Sequence, residues 1–124
     1  MSRILIVDDM PSIRDFTRAI LGELGLNKVD EAKDGQEALG MLNAMRYDLL
    51  ISDWNMPRLD GLGLLKAVRA SETMKAMPVI MLTGETSREN VEEAIGLGVA
   101  GFVAKPFKPQ SLMAAIRRVI PAAA

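Results

Sequence analysis

Short apolar runs alternate along the chain with longer stretches in which apolar residues recur at helical spacing. Runs of about 4–8 apolar residues predict buried β-strands, whereas recurrence every three to four residues predicts amphipathic helices. Five strands are predicted in this way, at residues 4–7, 28–32, 47–52, 78–82 and 100–104. The second strand is the most polar, which is typical of a sheet edge.

Capping and breaking residues mark the helices that follow each strand. Pro11 and Pro109 suit the first turns of the first and fifth helices. Asp34 precedes a glutamate by three residues and predicts the start of the second helix. Asp60 and Ser87 are the predicted N-caps of the third and fourth helices. Residues predicted to face the core include Ile13, Phe16, Ile20, Leu21 and Leu24 of the first helix and Ala38, Leu42 and Met45 of the second.

This order of elements predicts an α/β fold of the (βα)5 type. Nearly continuous apolar strands joined by helical crossovers imply a parallel sheet with helices on both faces. A length of 124 residues suits one domain with one core. Because no repeat, linker or second compositional region is evident, residues 1–124 are expected to form a single domain.

Composition excludes several classes of function. Fifteen basic and sixteen acidic residues give a formal net charge of -1, which argues against a general nucleic-acid-binding surface. The sequence contains no cysteine and no histidine, so thiolate chemistry, Ser-His catalysis and histidine-ligated zinc are excluded. No apolar run approaches the roughly 18 residues of a membrane span, and no signal-peptide pattern is present. A cytoplasmic protein is expected.

Residues with reactive or ligand-binding side chains follow the predicted strands at their carboxyl ends. Asp8 and Asp9 follow the first strand, Asp53 the third, Thr83 the fourth and Lys105 the fifth. Parallel sheets bind ligands at this edge. Clustered carboxylates repel one another, so a cation, a proton or a basic side chain must offset them.

Oxygen ligands and an ammonium group at one edge suit a divalent cation together with a phosphoryl group. Mg²⁺ prefers one or two carboxylates with water and phosphate oxygens, and an aspartate can serve as a nucleophile toward phosphorus. Taken singly, each residue has a simpler interpretation: Asp8 and Asp9 as a helix cap, Thr83 as a strand-end residue, Lys105 as a solvated charge. Because these residues are all expected at one edge of the sheet, their interpretation as ligands of a cation and a phosphoryl group is favoured.

The chain resembles the receiver domains of two-component response regulators, and most of all the single-domain chemotaxis type (CheY-like). The resemblance covers essentially all 124 residues and implies a flavodoxin-like sandwich with strand order 2-1-3-4-5. The motifs that carry it are Val-Asp-Asp at 7–9, Ser-Asp-Trp-Asn-Met-Pro at 52–57, Asp-Gly at 60–61, Leu-Thr-Gly-Glu at 82–85 and Ala-Lys-Pro-Phe at 104–107.

The resemblance implies a phosphorylation site and a metal site. Asp53 is expected to accept a phosphoryl group from a sensor histidine kinase. Asp8 and Asp9 are expected to hold Mg²⁺, for which Mn²⁺ can substitute, with Asp53 and the backbone carbonyl of Asn55 completing the protein ligands. The protein is accordingly expected to be a phosphoacceptor that assists its own phosphorylation and dephosphorylation, not a turnover enzyme.

The resemblance also implies a switch. Thr83 and Lys105 are expected to contact the phosphoryl group, and Phe102 to turn inward behind Thr83, although plain core filling by Phe102 is an equally good interpretation. A cis peptide bond is expected between Lys105 and Pro106. Asn55 and Glu85 occupy positions that tune phosphate lifetime in this family.

Two positions depart from the chemotaxis pattern, and both bear on output. Phe102 stands where that subfamily commonly has tyrosine, and Gly84 replaces an alanine. Output is expected through protein contacts of the fourth helix, fifth strand and fifth helix, made by a monomer without an effector domain. The target is either the flagellar motor switch or another protein. Trp54 is expected near the surface, at the rim of the site.

Three alternatives remain open from the residues alone. The first is a flavin-binding electron carrier, although Met10-Pro11-Ser12 is a poor phosphate-binding loop. The second is a phosphatase or phosphotransferase with an aspartyl intermediate, for which the loops are short. The third is a receiver that binds partners without phosphorylation, which the complete set of site residues disfavours.

Overall fold

The computed structural model describes residues 2–84 and 87–123, and within them five strands alternate with five helices. Glu85, a predicted site residue, lies outside the described residues. In chain order the elements are β1 (Arg3–Val7), α1 (Pro11–Glu23), β2 (Lys28–Ala32), α2 (Gly35–Ala44), β3 (Leu49–Asp53), α3 (Gly61–Ala70), β4 (Val79–Thr83), α4 (Arg88–Gly96), β5 (Gly101–Ala104) and α5 (Pro109–Val119).

The strands form one parallel sheet in the order β2-β1-β3-β4-β5. This order confirms the predicted flavodoxin-like (βα)5 fold. Successive strands are added on opposite sides of β1, with β2 on one side and β3 on the other. Open α/β sheets bind ligands at such a switch point, at the carboxyl ends of the strands.

Alternate residues of each central strand enter separate apolar cores on the two faces of the sheet. Ile4 and Ile6 of β1 pack with α1 and α5, whereas Leu5 and Val7 pack with α2, α3 and α4. The same alternation holds in β3, where Leu49 and Ile51 lie on the first face and Leu50 on the second. Burial on both faces explains why the strand sequences are continuously apolar.

The third strand begins and ends later than predicted. Residues 47–52 were the expected strand, but β3 runs from Leu49 to Asp53. Asp48 donates its backbone N–H to the Arg3 carbonyl at 2.8 Å, and its carboxylate accepts the Arg3 N–H at 2.8 Å. Tyr47 instead turns its hydroxyl to Asp30, at 2.7 Å. Asp53 consequently belongs to the sheet itself, opposite Leu82 of β4.

Two residues expected in the core are partly exposed, whereas a polar residue of α1 is fully buried. Phe16 is 40% exposed and packs its ring against Phe107, with centroids 5.5 Å apart, while Met45 follows the end of α2 and is 46% exposed. Thr17 is fully buried in α1. Its hydroxyl is buried and makes no hydrogen bond within the described residues.

The predicted helix caps of α2, α3 and α4 are present. Asp34 accepts the Glu37 N–H at 2.7 Å, and Asp60 accepts the Gly63 N–H at 2.8 Å. Ser87 accepts the Asn90 N–H at 3.5 Å. Across the described ranges, no helix combines the length and the apolar character that crossing a membrane requires.

Candidate functional site

Four strand ends deliver polar side chains to one edge of the sheet. Asp8 directly follows β1, Asp53 and Thr83 are the last residues of β3 and β4, and Lys105 directly follows β5. The parallel register aligns these ends, since Asp53 lies opposite Leu82 and Thr83 lies opposite Ala104. The sheet therefore brings together residues far apart in the sequence, as predicted.

The centre of this edge is a cluster of three aspartates. Asp8, Asp9 and Asp53 each offer a carboxylate oxygen, and these oxygens lie within 4.8 Å of one another. Asp8 is fully buried and Asp53 is 6% exposed, whereas Asp9 is exposed. Asp8 Oδ1 accepts the Met10 N–H at 2.9 Å, which turns this carboxylate toward the start of α1. Two buried carboxylates and one exposed carboxylate thus share one small volume.

Lys105 lies between the two buried carboxylates. Its Nζ is 2.9 Å from Asp8 Oδ2 and 3.0 Å from Asp53 Oδ1. The Lys105–Pro106 peptide bond is cis, as expected. The Lys105 N–H also donates to the Thr83 carbonyl at 3.0 Å, which ties the start of this loop to the end of β4. Lys105 is therefore an ion-pair partner of the cluster and not a solvated charge.

The electrostatics of the cluster favour an added cation. Burial raises the pKa of the Asp53 carboxyl, the Asp8 charge adds to this rise, and Lys105 opposes it without reversing it. Burial alone would lower the pKa of Lys105, but its hydrogen bonds and charge interactions with Asp8 and Asp53 raise it. Three carboxylates face one ammonium group, which leaves an excess of negative charge.

The donor set fits Mg²⁺. The three clustered aspartates offer carboxylate oxygens, which suit a hard divalent cation that also keeps several waters. Asn55, whose backbone carbonyl was predicted as a further ligand, lies in the exposed bend two residues after Asp53. Its participation stays a prediction.

Thr83 is a buried residue at the end of β4, 6% exposed. Gly84 follows it at an exposed position, and a Cβ placed on Gly84 would meet no atom within 4 Å. An alanine would therefore fit at this position without a steric conflict. The role of Thr83 toward a phosphoryl group stays a prediction.

Trp54 is buried, which corrects the expectation that it lies at the rim of the site. It is 2% exposed, and its ring stacks on Phe102 with centroids 6.4 Å apart and an angle of 28° between the planes. Trp54 N–H donates to the Leu82 carbonyl at 3.1 Å, so the backbone continues the sheet beyond Asp53 and carries the indole into the core. Phe102 is partly buried against this ring.

Gly61 lies directly against the backbone of the phosphoacceptor candidate. Its N–H donates to the Trp54 carbonyl at 2.7 Å, and a Cβ at this position would collide with the Asp53 carbonyl oxygen. A larger residue would push α3 away from the end of β3. The Asp60-Gly61 pair therefore serves the site by packing and capping, and not as a ligand.

Two residues that support the aspartate cluster, Arg14 and Glu31, were not predicted from the sequence. Arg14 of α1 donates from Nη1 to the Asp8 carbonyl at 2.6 Å and from Nε to Glu31 at 2.9 Å. Both residues look like ordinary surface charges in the sequence. The spacing of Arg14 six residues after Asp8 gave no signal, because the contact depends on where α1 leaves the sheet.

Comparisons with known proteins agree with this geometry. A family model described as the response regulator receiver domain matches residues 4–117. The chemotaxis protein CheY of Pseudomonas aeruginosa is 44% identical over 117 residues, and the match covers 94% of each chain. The predicted resemblance is thereby confirmed.

Solved structures give the same result for the fold. The chemotaxis response regulator CheY4 of Vibrio cholerae has a TM-score of 0.87 at 40% identity, with 96% of this chain and 98% of that chain covered. The receiver domain of a sensor histidine kinase from Pseudomonas aeruginosa has a TM-score of 0.84 at 32% identity, with 97% and 98% covered. That protein has a magnesium ion coordinated in its active-site cleft.

Proposed function

The chain belongs to the response regulator receiver domain family, and from this premise we propose that Asp53 is its phosphoacceptor. As a receiver domain, it acts in phosphorylation-activated two-component signalling. The observation that supports Asp53 most is its ion pair with Lys105 inside the aspartate cluster, where its side chain is 8% exposed. Asp34 and Asp60, in contrast, cap helices.

Asp53 attacks phosphorus through a carboxylate oxygen. The donor is a phosphorylated histidine of a sensor kinase: an O–P bond forms, the P–N bond breaks, and the imidazole nitrogen keeps the electron pair. Burial removes water from the Asp53 carboxylate, so little solvent must be displaced before attack. Most of what such a transfer requires is positioning and neutralisation of charge.

Asp8, Asp9 and Asp53 hold Mg²⁺ in this proposal, with the Asn55 carbonyl as a further ligand and Mn²⁺ as a substitute. When bound, Mg²⁺ supplies positive charge for the cluster and for the phosphoryl oxygens. Lys105 exchanges one carboxylate partner for a phosphoryl oxygen after transfer, since its ammonium group already lies 3.0 Å from Asp53.

Thr83 and Phe102 carry the signal from the phosphoryl group to the surface. The Thr83 hydroxyl donates to a phosphoryl oxygen and draws the end of β4 toward Asp53. Phe102, whose ring stacks on Trp54 in this structure, then turns inward behind Thr83 and alters the surface of α4, β5 and α5. A shift from 1% to 99% active needs a bias of about 5.5 kcal/mol between the two states.

The output is a change in affinity for a protein partner, as expected for a cytoplasmic phosphoacceptor that is monomeric and not a turnover enzyme. The flagellar motor switch is one candidate, supported by the chemotaxis relatives. Phe102 lacks the hydroxyl of a tyrosine, so recognition at this position uses ring packing alone. Asn55 and Glu85 set the lifetime of the phosphoryl group.

A phosphorylation assay tests this function. The protein is incubated with Mg²⁺ and a small phosphodonor such as acetyl phosphate, and its intact mass is measured. One added phosphoryl group is expected on the wild type and none on Asp53→Asn. Asp60→Asn is the matched control and should be phosphorylated normally, because asparagine preserves the cap of α3. An equal adduct on Asp53→Asn contradicts the proposal.

A further inference from the structure

Arg14 connects the aspartate cluster to a second group of charges on the other side of β1. Its guanidinium donates from Nη1 to the carbonyl of Asp8 at 2.6 Å and from Nε to Glu31 Oε1 at 2.9 Å. The Arg14 side chain is 17% exposed and the Glu31 side chain 25% exposed. The guanidinium thus joins α1 to the edge strand β2 and to the chain that leaves β1.

The Asp8 carbonyl belongs to the peptide unit that joins two of the three clustered aspartates. The Asp8 N–H is fixed by the Ala32 carbonyl at 3.2 Å, and the Asp8 carboxylate by Met10 and Lys105. The Arg14 bond fixes the orientation of the following peptide plane. That plane determines the direction in which the Asp9 side chain leaves the backbone.

Asp9 depends on this backbone orientation more than its neighbours do. Asp8 and Asp53 are buried and held by Lys105, whereas Asp9 is exposed, although its carboxylate still lies within 4.8 Å of theirs. A rotation of the Asp8–Asp9 peptide would carry the Asp9 carboxylate away from the other two. We propose that Arg14, oriented by Glu31, is a positioning residue that holds Asp9 in place for Mg²⁺.

Glu31 uses its two carboxylate oxygens for two different arginines. Glu31 Oε2 accepts from Arg18 Nε at 2.7 Å while Oε1 accepts from Arg14. Burial alone would raise the pKa of Glu31, but the hydrogen bonds and charges of Arg18 and Arg14 outweigh burial and lower it. An ionised Glu31 therefore fixes the Arg14 fork in the plane in which its other nitrogen reaches Asp8.

Arg18 provides a matched control within the same cluster. It shares Glu31 with Arg14 and carries the same charge, but its Nη2 donates to the Val29 carbonyl in β2, at 3.1 Å, and not to the aspartate segment. Loss of Arg18 removes an ion pair to Glu31 without releasing the Asp8 carbonyl. The two arginines thus separate positioning from charge pairing.

A positioning role and a purely electrostatic role of Arg14 predict opposite changes in Mg²⁺ affinity when Arg14 is removed. A guanidinium beside a cation site repels the cation, so removing its charge alone would strengthen Mg²⁺ binding. If Arg14 positions Asp9, its removal weakens Mg²⁺ binding, as the loss of a residue that orients a metal ligand typically does. The direction of the change therefore distinguishes the two roles.

The test is a calorimetric Mg²⁺ titration of the wild type, Arg14→Gln, Arg14→Lys and Arg18→Gln, with urea unfolding to verify that each variant is folded. The Mg²⁺ dissociation constant should rise on the order of tenfold in both Arg14 variants, because lysine keeps the charge but cannot form both bonds. In Arg18→Gln it should change by less than about twofold. If Arg14→Gln does not fold, Arg14→Lys carries the comparison.

Three results would overturn the inference: unchanged or tighter binding in both Arg14 variants, full wild-type affinity in Arg14→Lys, or equal weakening in Arg18→Gln. The inference rests on the proposed metal site, but the two fail differently. A wild type that does not bind Mg²⁺ contradicts the proposed site. A wild type that binds Mg²⁺ and is matched by the Arg14 variants contradicts the positioning role alone.

Discussion

Two charged clusters lie near the end of β1, and they are built in opposite ways. In the aspartate cluster, three carboxylates share the ammonium group of Lys105. In the cluster around Glu31, two guanidinium groups share one carboxylate. Among the described residues, the first has an excess of negative charge, whereas in the second both oxygens of the one carboxylate are paired with arginine and positive charge is in excess.

The pKa directions follow this difference. The pKa of Asp53 is raised because of burial and the Asp8 charge, whereas the pKa of Glu31 is lowered because its arginine partners outweigh burial. A carboxylate whose basic partners outweigh burial stabilises the fold, whereas clustered carboxylates with a raised pKa are maintained at a cost in stability and suit a ligand. The comparison separates carboxylates that could bind a ligand directly from a carboxylate that stabilises the fold and orients Arg14.

The largest expected effect comes from removing the ammonium group of the aspartate cluster. Lys105→Met should slow phosphoryl transfer from a small phosphodonor about 100-fold, because one donor to the developing phosphoryl charge is lost. The rate is measured by intact mass against time. Lys66→Met, which removes the exposed partner of Glu93, is the control and should leave the rate unchanged. A similar rate in Lys105→Met and wild type would remove Lys105 from the mechanism.

Replacement of Glu31 should lower stability even when no Mg²⁺ is present, apart from any effect through Arg14 on the metal site. Glu31→Gln leaves two guanidinium groups without their anion and should lower the free energy of unfolding by about 1 kcal/mol. Urea unfolding at pH 7, followed by the fluorescence of buried Trp54, measures the change. Glu92→Gln, in the exposed pair with Arg88, should cost less than about 0.5 kcal/mol. Equal losses would show that the Glu31 cluster is no better than a surface pair.

A smaller expected effect is the pH dependence of the stability difference between wild type and Glu31→Gln. Because the folded pKa of Glu31 is lower than its value of about 4.3 in an unfolded chain, its stabilisation is present above that pH. It is lost as pH falls through the folded pKa. The stability gap between wild type and Glu31→Gln should therefore stay constant from pH 7 to about pH 5 and shrink below it. A gap that keeps its full pH 7 size at pH 3 would exclude ionisation of Glu31 as its source.

The core of the site could be predicted because it depends on strand ends. Asp8, Asp53, Thr83 and Lys105 each end or follow an apolar run, and parallel strands bring such ends to one edge whatever the details of packing. The caps of the helices followed from equally local patterns, whereas the order of the strands came from the family resemblance. The roles of Asp53, Thr83, Lys105, Phe102 and Asn55 toward metal or phosphate stay predictions, and Glu85 lies outside the described residues.

The remaining features depend on tertiary packing, and the sequence alone did not contain a signal for them. Trp54 is buried because the chain continues along the sheet past Asp53, and this depends on the later strand boundary. Thr17 takes the buried position on α1 that Phe16 was expected to share. The bond from Arg14 to Asp8 depends on the angle at which α1 leaves β1.

The central claim is that the fold holds the aspartates together at a cost that Mg²⁺ offsets, and replacement of Asp53 tests it most directly. The free energy of unfolding is measured for wild type and Asp53→Asn, with EDTA and with saturating Mg²⁺. With EDTA, the variant should be more stable by about 1 kcal/mol. The buried charge of Asp53 is removed, while Lys105 retains its ion pair with Asp8. With Mg²⁺ the advantage should disappear or reverse, since the wild type binds the ion more tightly. A variant that is less stable than wild type with EDTA would contradict the account.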